Sequence, residues 1–286
     1  MGNHIGGERP DSTVSHEADS AKPAGSVTAR RDGAVLRITL DRPSRRNSLT
    51  PLMIETLVGA LTDAAADDTL RAIHIRSAGN DFCAGADWVA TNSAGGPRPR
   101  TGDLVRRIPH AAHRVIELVG GIQLPVVCSV RGWAAGIGCN LALAADFTVA
   151  AADAVFWEPF VERGFSPDSG STWLLPRLVG LARARRMLLL GEKVSGADAA
   201  DWGLIHQAVS PAELDDTVGE LVARLACGPT VAIGLAKQAL SFGHDATLGQ
   251  AMTQELFNME LACRTNDFKE GLEAFRQRRA PKFQGR

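Results

Sequence analysis

Apolar and polar residues alternate over residues 34–40 (AVLRITL), the period of a strand with one face on a core. The ordered part of the chain is expected to begin there. Residues 51–66 switch to a helical period, and Thr50-Pro51 supplies an N-cap followed by a first-turn proline. A strand is expected over 72–77 (AIHIRS) and a helix over 103–121. The run 125–130 (PVVCSV) is apolar without alternation, as in a strand covered on both faces. Gly132, Gly136 and Gly138 then interrupt the pattern, and strong helix formers fill 139–145. Further on, 204–209 reads as a short strand. By period, 176–191, 195–202, 213–227, 229–241, 247–265 and 268–279 read as helices. Strands therefore dominate early and helices late.

Two stretches carry no such pattern. Residues 1–25 are polar and rich in Gly, Ser, Asp and Glu, and are expected to be disordered. They lack the apolar centre of a secretion signal, and Glu8, Asp11, Glu17 and Asp19 argue against an organellar transit peptide. Residues 90–101 (ATNSAGGPRPRT) read as a loop of the kind that forms lids or binding loops. A chain of 286 residues fits one large domain, or one domain plus an appendage. The net charge of −1 offers nothing to nucleic acid. Five cysteines, an odd number with no CxxC pair, point to reduced thiols and a cytoplasmic location. No apolar run approaches a bilayer span, so no membrane partner is expected.

The candidate chemistry lies where strands end. After 125–130 the chain passes through its glycines into a helix start. There the first N–H groups lack internal partners, and the helix dipole is positive. Three glycines in such a turn also suit plain helix-to-strand packing. Residues 80–88 (NDFCAGADW) form a second small-residue turn, directly after strand 72–77. Two such turns can present a pair of N–H donors to one carbonyl oxygen, an oxyanion hole. Arg42, Arg45 and Arg46 form a basic loop whose plain reading is a solvated face. His110, His113 and Glu117 share a helix face at ligand-like spacing. Nothing else converges there, an exposed polar face accounts for them, and no metal is expected.

These segments resemble the crotonase superfamily, the enoyl-CoA hydratase/isomerase family. The residues that carry the likeness are FCAGAD (82–87), PVVCSVRGWAAGIGCNLALAADFTVA (125–150), FSPDSGSTWLLPRLVG (165–180), GEKVSGADAADWGLI (191–205) and FKEGLEAFRQRRAPKFQG (268–285). The resemblance implies an α/β fold: a spiral of ββα units over 26–210, then a C-terminal helical trimerisation region over 211–286. Assembly as a homotrimer, or as a hexamer of two trimers, is implied with it. So is an acyl-CoA thioester substrate, coenzyme A entering as part of the substrate with no separate cofactor. By the same likeness the backbone N–H groups of Ala86 and Ile137 would hold the thioester oxygen. Ala84, Gly85, Ala86, Asp87, Trp88 and Gly136 would line the CoA site. Arg45 or Arg46 would touch the CoA phosphates, and Lys282 with Phe283 would approach CoA bound by a neighbouring subunit. The plain reading of Arg278, Arg279 and Lys282 is a solvated basic end.

Hydratases of the family use two glutamates, one following the glycine turn and one following a proline in the next segment. Asn140 and Phe160 stand at those positions here, which makes a two-carboxylate addition of water hard to support. Asp168, in SPDSGSTW, resembles the single acid of the isomerase branches, where one carboxyl group carries a proton between two carbons. The expected activity is therefore an enoyl-CoA isomerase, with fatty acid metabolism as its setting. Ser166-Pro167-Asp168 is equally an N-terminal capping arrangement. An ordinary aspartate is a feeble base toward carbon, so apolar flanks such as Phe165, Trp173 or Ile137 are expected. Glu158, just ahead of Pro159, is the alternative acid, and Glu162 a further rival. A hydratase with a rearranged acid, a hydrolase with Asp168 as nucleophile, and a non-catalytic acyl-CoA-binding paralogue remain open alternatives.

Overall fold

A computed structural model describes residues 25–87 and 100–286. The expected disorder of the N-terminal tail, nearly all of the 90–101 loop, and Trp88 lie outside the described residues. In chain order the strands are β1 (Ser26–Asp32), β2 (Val35–Asp41), β3 (Ala72–Ser77), β4 (Val126–Val130), β5 (Trp133–Ala135), β6 (Phe147–Ala151), β7 (Val155–Trp157), β8 (Val194–Ser195) and β9 (Gln207–Val209). The helices are α1 (Pro51–Ala66), α2 (Asp103–Arg107), α3 (Ala112–Gly121), α4 (Ile137–Leu143), α5 (Ser171–Leu190), α6 (Gly196–Trp202), α7 (Leu214–Ala226), α8 (Thr230–Gly243), α9 (Leu248–Ala262) and α10 (Asn266–Gln277).

The main sheet runs β1-β2-β3-β4-β6-β9, antiparallel between β1 and β2 and parallel elsewhere. A smaller sheet runs β5-β7-β8. All five residues of β4 are buried, as its unbroken apolar run requires. Met53, Ile54, Leu57, Leu61 and Ala64 form the buried stripe of α1, spaced three and four apart. Thr50 caps that helix, its hydroxyl accepting from the Met53 N–H at 3.2 Å. Helix α7 packs on β3, β4 and β6 with Leu214, Val218 and Val222 buried, so a helix beyond residue 210 helps to cover the sheet.

Three expectations need correction. The ordered chain starts before residue 34, because β1 pairs with β2 over its whole length, Ser26 opposite Asp41 through Asp32 opposite Val35. Its sequence, SVTARRD, is too polar and too exposed for alternation to reveal it, and ladder bonds to β2 hold it. The helix expected over 103–121 breaks into α2, a 3-10 turn over 108–110 and α3. Pro109 sits in that turn, where it can neither donate an N–H nor accommodate the preceding carbonyl of a continuous helix. Helix α5 begins at Ser171 rather than 176 and kinks at Gly180 (φ 73°).

The parallel strands start against the C-terminal half of the chain. Lys237 of α8 reaches the Val119 carbonyl at 3.0 Å, the Leu124 carbonyl at 3.3 Å and Asp146 Oδ2 at 2.7 Å, beside the first residues of β4 and β6. Arg71, just ahead of β3, donates to Thr230 Oγ1 at 3.1 Å, to the Phe283 carbonyl at 3.1 Å, and to the Gly228 carbonyl. Asp267 accepts the backbone N–H groups of Gln284 and Gly285 at 2.6 and 2.8 Å. Among the described residues, no single helix is long and apolar enough to cross a membrane.

Candidate active site

The two strand-end turns lie side by side at the other ends of the strands. The Phe82 N–H donates to the Arg131 carbonyl and the Cys83 N–H to the Trp133 carbonyl, both at 2.8 Å. The Ala135 N–H donates back to the Cys83 carbonyl at 2.9 Å. This zipper depends on glycine twice. A Cβ at Gly138 would run into the Cys83 carbonyl and Cβ, and Gly85 has φ +101° with the Ala135 carbonyl 3.1 Å from where its Cβ would stand.

The zipper leaves two N–H groups unspent. Leu49 donates to the Gly85 carbonyl at 2.8 Å and accepts from the Asp87 N–H at 3.0 Å. Ala86 is thus bridged on one side, and its own N–H points to the other. Ile137 is the first residue of α4, ahead of the helical ladder, with Gly136 (φ 53°, ψ −126°) as its N-cap. Neither N–H donates to an acceptor among the described residues. Both residues line one cleft of about 1020 Å³, partly open to solvent, together with Ala84, Gly85, Asp87, Gly136 and Asp168. Leu49, Ile54, Leu104, Ile108, Phe160 and Phe165 supply its apolar walls, and Arg107 and Arg163 its cations. The Arg107 Nε donates to Asp103 at 2.7 Å.

Asp168 does not cap α5. The N-cap is Gly170, without a side-chain bond, and the Asp168 carboxylate turns elsewhere. Its Oδ1 accepts the Ser169 N–H at 2.6 Å and meets His113 Nε2 at 2.5 Å, while Oδ2 has no partner among the described residues. Ser169 holds φ +57°, an uncommon conformation for a residue with a side chain, costing of order 1–2 kcal/mol. Asn140, at the first hydratase glutamate position, is buried and donates from Nδ2 to the Asp168 carbonyl at 3.3 Å. Phe160, at the second, lines the cleft and meets Phe165 edge-on with centroids 5.6 Å apart. Ile137 and Phe165 share the cleft with Asp168 as expected. Trp173 does not, since it is exposed and covered by the Arg177 guanidinium at 4.2 Å.

His113 is the residue that sequence reasoning missed, having been read as part of an exposed polar face. Its pattern signal, one histidine ahead of the buried Val115, Leu118 and Val119, does not separate a solvated ring from one facing a loop 55 residues away. Glu117 meets Arg114 at 3.3 Å instead, and no metal-binding group of His, Cys, Asp or Glu occurs among the described residues.

The alternative acid is not at the cleft. Glu158 is completely buried, does not line the cleft, and neither carboxyl oxygen has a hydrogen-bond partner. Burial pushes its carboxyl well above the usual carboxylate range, with the Cys139 thiol nearby but out of hydrogen-bond geometry. Its carboxyl is enclosed away from the residues that line the cleft. Glu162 is exposed in the 3-10 turn over 161–163. Burial also pushes the Cys139 thiol up and the Cys83 thiol up to about 12, so neither offers a thiolate nucleophile.

The remaining site candidates divide. Asp87 lines the cleft, but its Oδ2 pairs with Arg42 Nη1 at 2.6 Å, with both side chains largely buried. Arg42 is thereby committed to structure. Arg45 and Arg46 are exposed and are not cleft residues; Arg46 lies 5.9 Å over the Trp133 ring. Asn47 shapes this loop, accepting the Arg42 N–H at 2.6 Å and donating to the carbonyls of Ala78 and Asp81 at 2.8 and 2.7 Å. Lys282 and Phe283 sit at the opposite strand ends from the cleft of their own chain, the Lys282 N–H on Glu270 Oε1 at 2.7 Å and the Phe283 carbonyl on Arg71.

Two adjoining turns with unspent N–H groups, and an aspartate with one oxygen unpartnered among the described residues, share this cleft. Residues 30–286 match the sequence profile of the enoyl-CoA hydratase/isomerase family, and the chain belongs to that family. It is similar to the 1,2-epoxyphenylacetyl-CoA isomerase of Escherichia coli, with 39% identity over 91% of this chain and 98% of that protein. It is also similar to the 2,3-dehydroadipyl-CoA hydratase of the same organism, with 33% identity over 90% and 97%. Among solved structures, the enoyl-CoA hydratase of Bacillus anthracis superposes with a TM-score of 0.84 at 30% identity, covering 91% of this chain and 99% of that one. The fold is the crotonase fold.

Proposed function

We propose that this chain is an acyl-CoA isomerase that moves a carbon–carbon double bond with Asp168 as its proton carrier. The observation that carries the reading is that Asp168, whose Oδ2 has no partner among the described residues, lines the same cleft as Ala86 and Ile137 with their unspent N–H groups. The two N–H groups donate hydrogen bonds to the thioester oxygen, and these strengthen as negative charge builds on it. The C2–H group of a 3-enoyl-CoA, between that carbonyl and the double bond, then loses its proton to Oδ2, leaving a dienolate. Oδ2 returns the proton to the other end of the dienolate, so the double bond shifts and no atom is gained or lost. Each oxyanion donor contributes about 2.7–4 kcal/mol in such sites.

Addition of water would require a second acid or base, and the positions for it hold Asn140 and Phe160. The name of the 39% identical relative, an isomerase, supports the same reading. The thioester's CoA portion would lie along residues 84–87 and Gly136, with Arg45 or Arg46 at its phosphates and a neighbouring subunit's Lys282 and Phe283 approaching it. Exposed apolar side chains on α9 and α10, among them Leu256, Phe257 and Phe275, support the accompanying proposal of a trimer or a hexamer of two trimers.

The decisive assay follows conversion of a 3-enoyl-CoA to its conjugated isomer by ultraviolet absorbance. Asp168→Asn is expected to lower turnover by roughly 10²–10⁴ while CoA-ester binding persists. Turnover equal to wild type would remove Asp168 from the mechanism. In heavy-oxygen water the product mass is expected to stay that of the substrate, whereas hydration or hydrolysis would add labelled oxygen.

A further inference from the structure

We propose that His113 is a positioning residue for Asp168, holding the carboxylate plane so that Oδ2 faces the reacting carbons. The inference rests on the isomerase reading above and adds a role for a residue outside the cleft wall. His113 lies on α3, in contact with Asp168 Oδ1, and is not among the residues that line the cleft. An ionised carboxylate can only accept, so the 2.5 Å contact places the ring proton on Nε2 and makes the imidazole the donor.

The terminal torsion of an aspartate is broad and roughly two-fold, so one hydrogen bond leaves the carboxylate plane loosely defined. Here two donors from different elements converge on the same oxygen, the Ser169 N–H from the loop and Nε2 from α3. The loop itself is anchored twice more, by Asn140 Nδ2 and the Ser171 hydroxyl on the Asp168 carbonyl at 3.3 and 3.1 Å. The left-handed Ser169 that aims its N–H at Oδ1 is tolerated within this set of bonds. The two oxygens consequently differ, Oδ1 saturated with donors and Oδ2 open. Transfer to and from carbon is sensitive to placement, and a displacement near 1 Å can cost about 10²-fold in rate.

The test compares His113→Leu, which removes the donor, with His113→Gln, whose amide nitrogen is the same number of bonds from the backbone as Nε2. On the 3-enoyl-CoA substrate, His113→Leu is expected to lose kcat by roughly 10²-fold with KM little changed, and His113→Gln to recover most of it. If His113→Leu turns over like wild type while Asp168→Asn is inactive, the positioning role is overturned and the isomerase reading stands. If Asp168→Asn also turns over like wild type, the reading beneath it falls as well. A measurement on folded protein, independent of turnover, covers the case in which leucine disrupts α3. Nitrogen-15 spectra of the histidine rings are expected to show a protonated Nε2 at His113 that shifts in Asp168→Asn, and an unmoved resonance overturns the proposal.

Discussion

At the N-terminal ends of β3, β4 and β6, Arg71, Lys237 and Asp267 are each answered by two or more partners. At the C-terminal ends, the Ala86 and Ile137 N–H groups and Asp168 Oδ2 are left without one among the described residues. The same sheet supports both, so the difference lies in what is packed against its two ends. Helix α8 brings the Lys237 ammonium and the Thr230 hydroxyl to the N-terminal ends, the tail brings the Phe283 carbonyl, and together they close them. Two glycine turns close on each other at the C-terminal ends, using up their own inner bonds and aiming the next N–H outward. Polar groups spent on partners contribute stability, and those left open at a cleft remain for a substrate.

Substitutions at the two ends should therefore separate stability from turnover. The largest stability loss is expected from Lys237→Met at the closed end, which strands the Asp146 carboxylate. Burial pushes the Asp146 carboxyl up and the Lys237 ammonium down, with the partner's charge opposing the shift in both. Breaking such a pair costs about 3–5 kcal/mol. Urea unfolding should register it, with kcat of the folded protein unchanged; a comparable loss of kcat would merge the two ends. Gly138→Ala at the open end should act the other way. Its Cβ would push on the Cys83 carbonyl and spread the turns, lowering kcat by roughly 10²–10³, the effect of losing an oxyanion donor. Unaltered kcat in that variant would show that the close approach of the turns is not needed for turnover.

The smallest effect sharpens the comparison from the middle of the sheet. His74 in β3 is buried between Arg37 Nη1 at 3.2 Å and Ser129 Oγ at 2.9 Å. Burial, with the nearby guanidinium charges, lowers its pKa from 6.5 to about 4. The unfolded chain thus takes up a proton at higher pH than the folded one. The contribution is fully present above pH 6.5 and is lost as pH falls from 6.5 toward 4. At about 1.4 kcal/mol per pH unit it amounts to at most about 3.5 kcal/mol. His74→Gln should flatten this part of a plot of urea midpoint against pH, and an identical slope in the variant would assign the acid sensitivity to other groups.

Local pattern made much of this protein legible. Thr50-Pro51 and the spacing of Met53, Leu57, Leu61 and Ala64 define α1, and the unbroken run before Gly132 defines β4, because helix and strand periods record which face is buried. The two small-residue turns, the departures at Asn140 and Phe160, and Asp168 as a candidate acid were all readable in the chain. Tertiary structure alone decided what those groups touch. It paired Arg42 with Asp87 across 45 residues and His113 with Asp168 across 55, and it buried Glu158 with neither carboxyl oxygen hydrogen-bonded. It also supplied the ladder that makes the polar β1 a strand. Periodicity encodes a residue's face within its own element, whereas a side chain's protonation and hydrogen bonds depend on elements far along the chain that folding brings beside it.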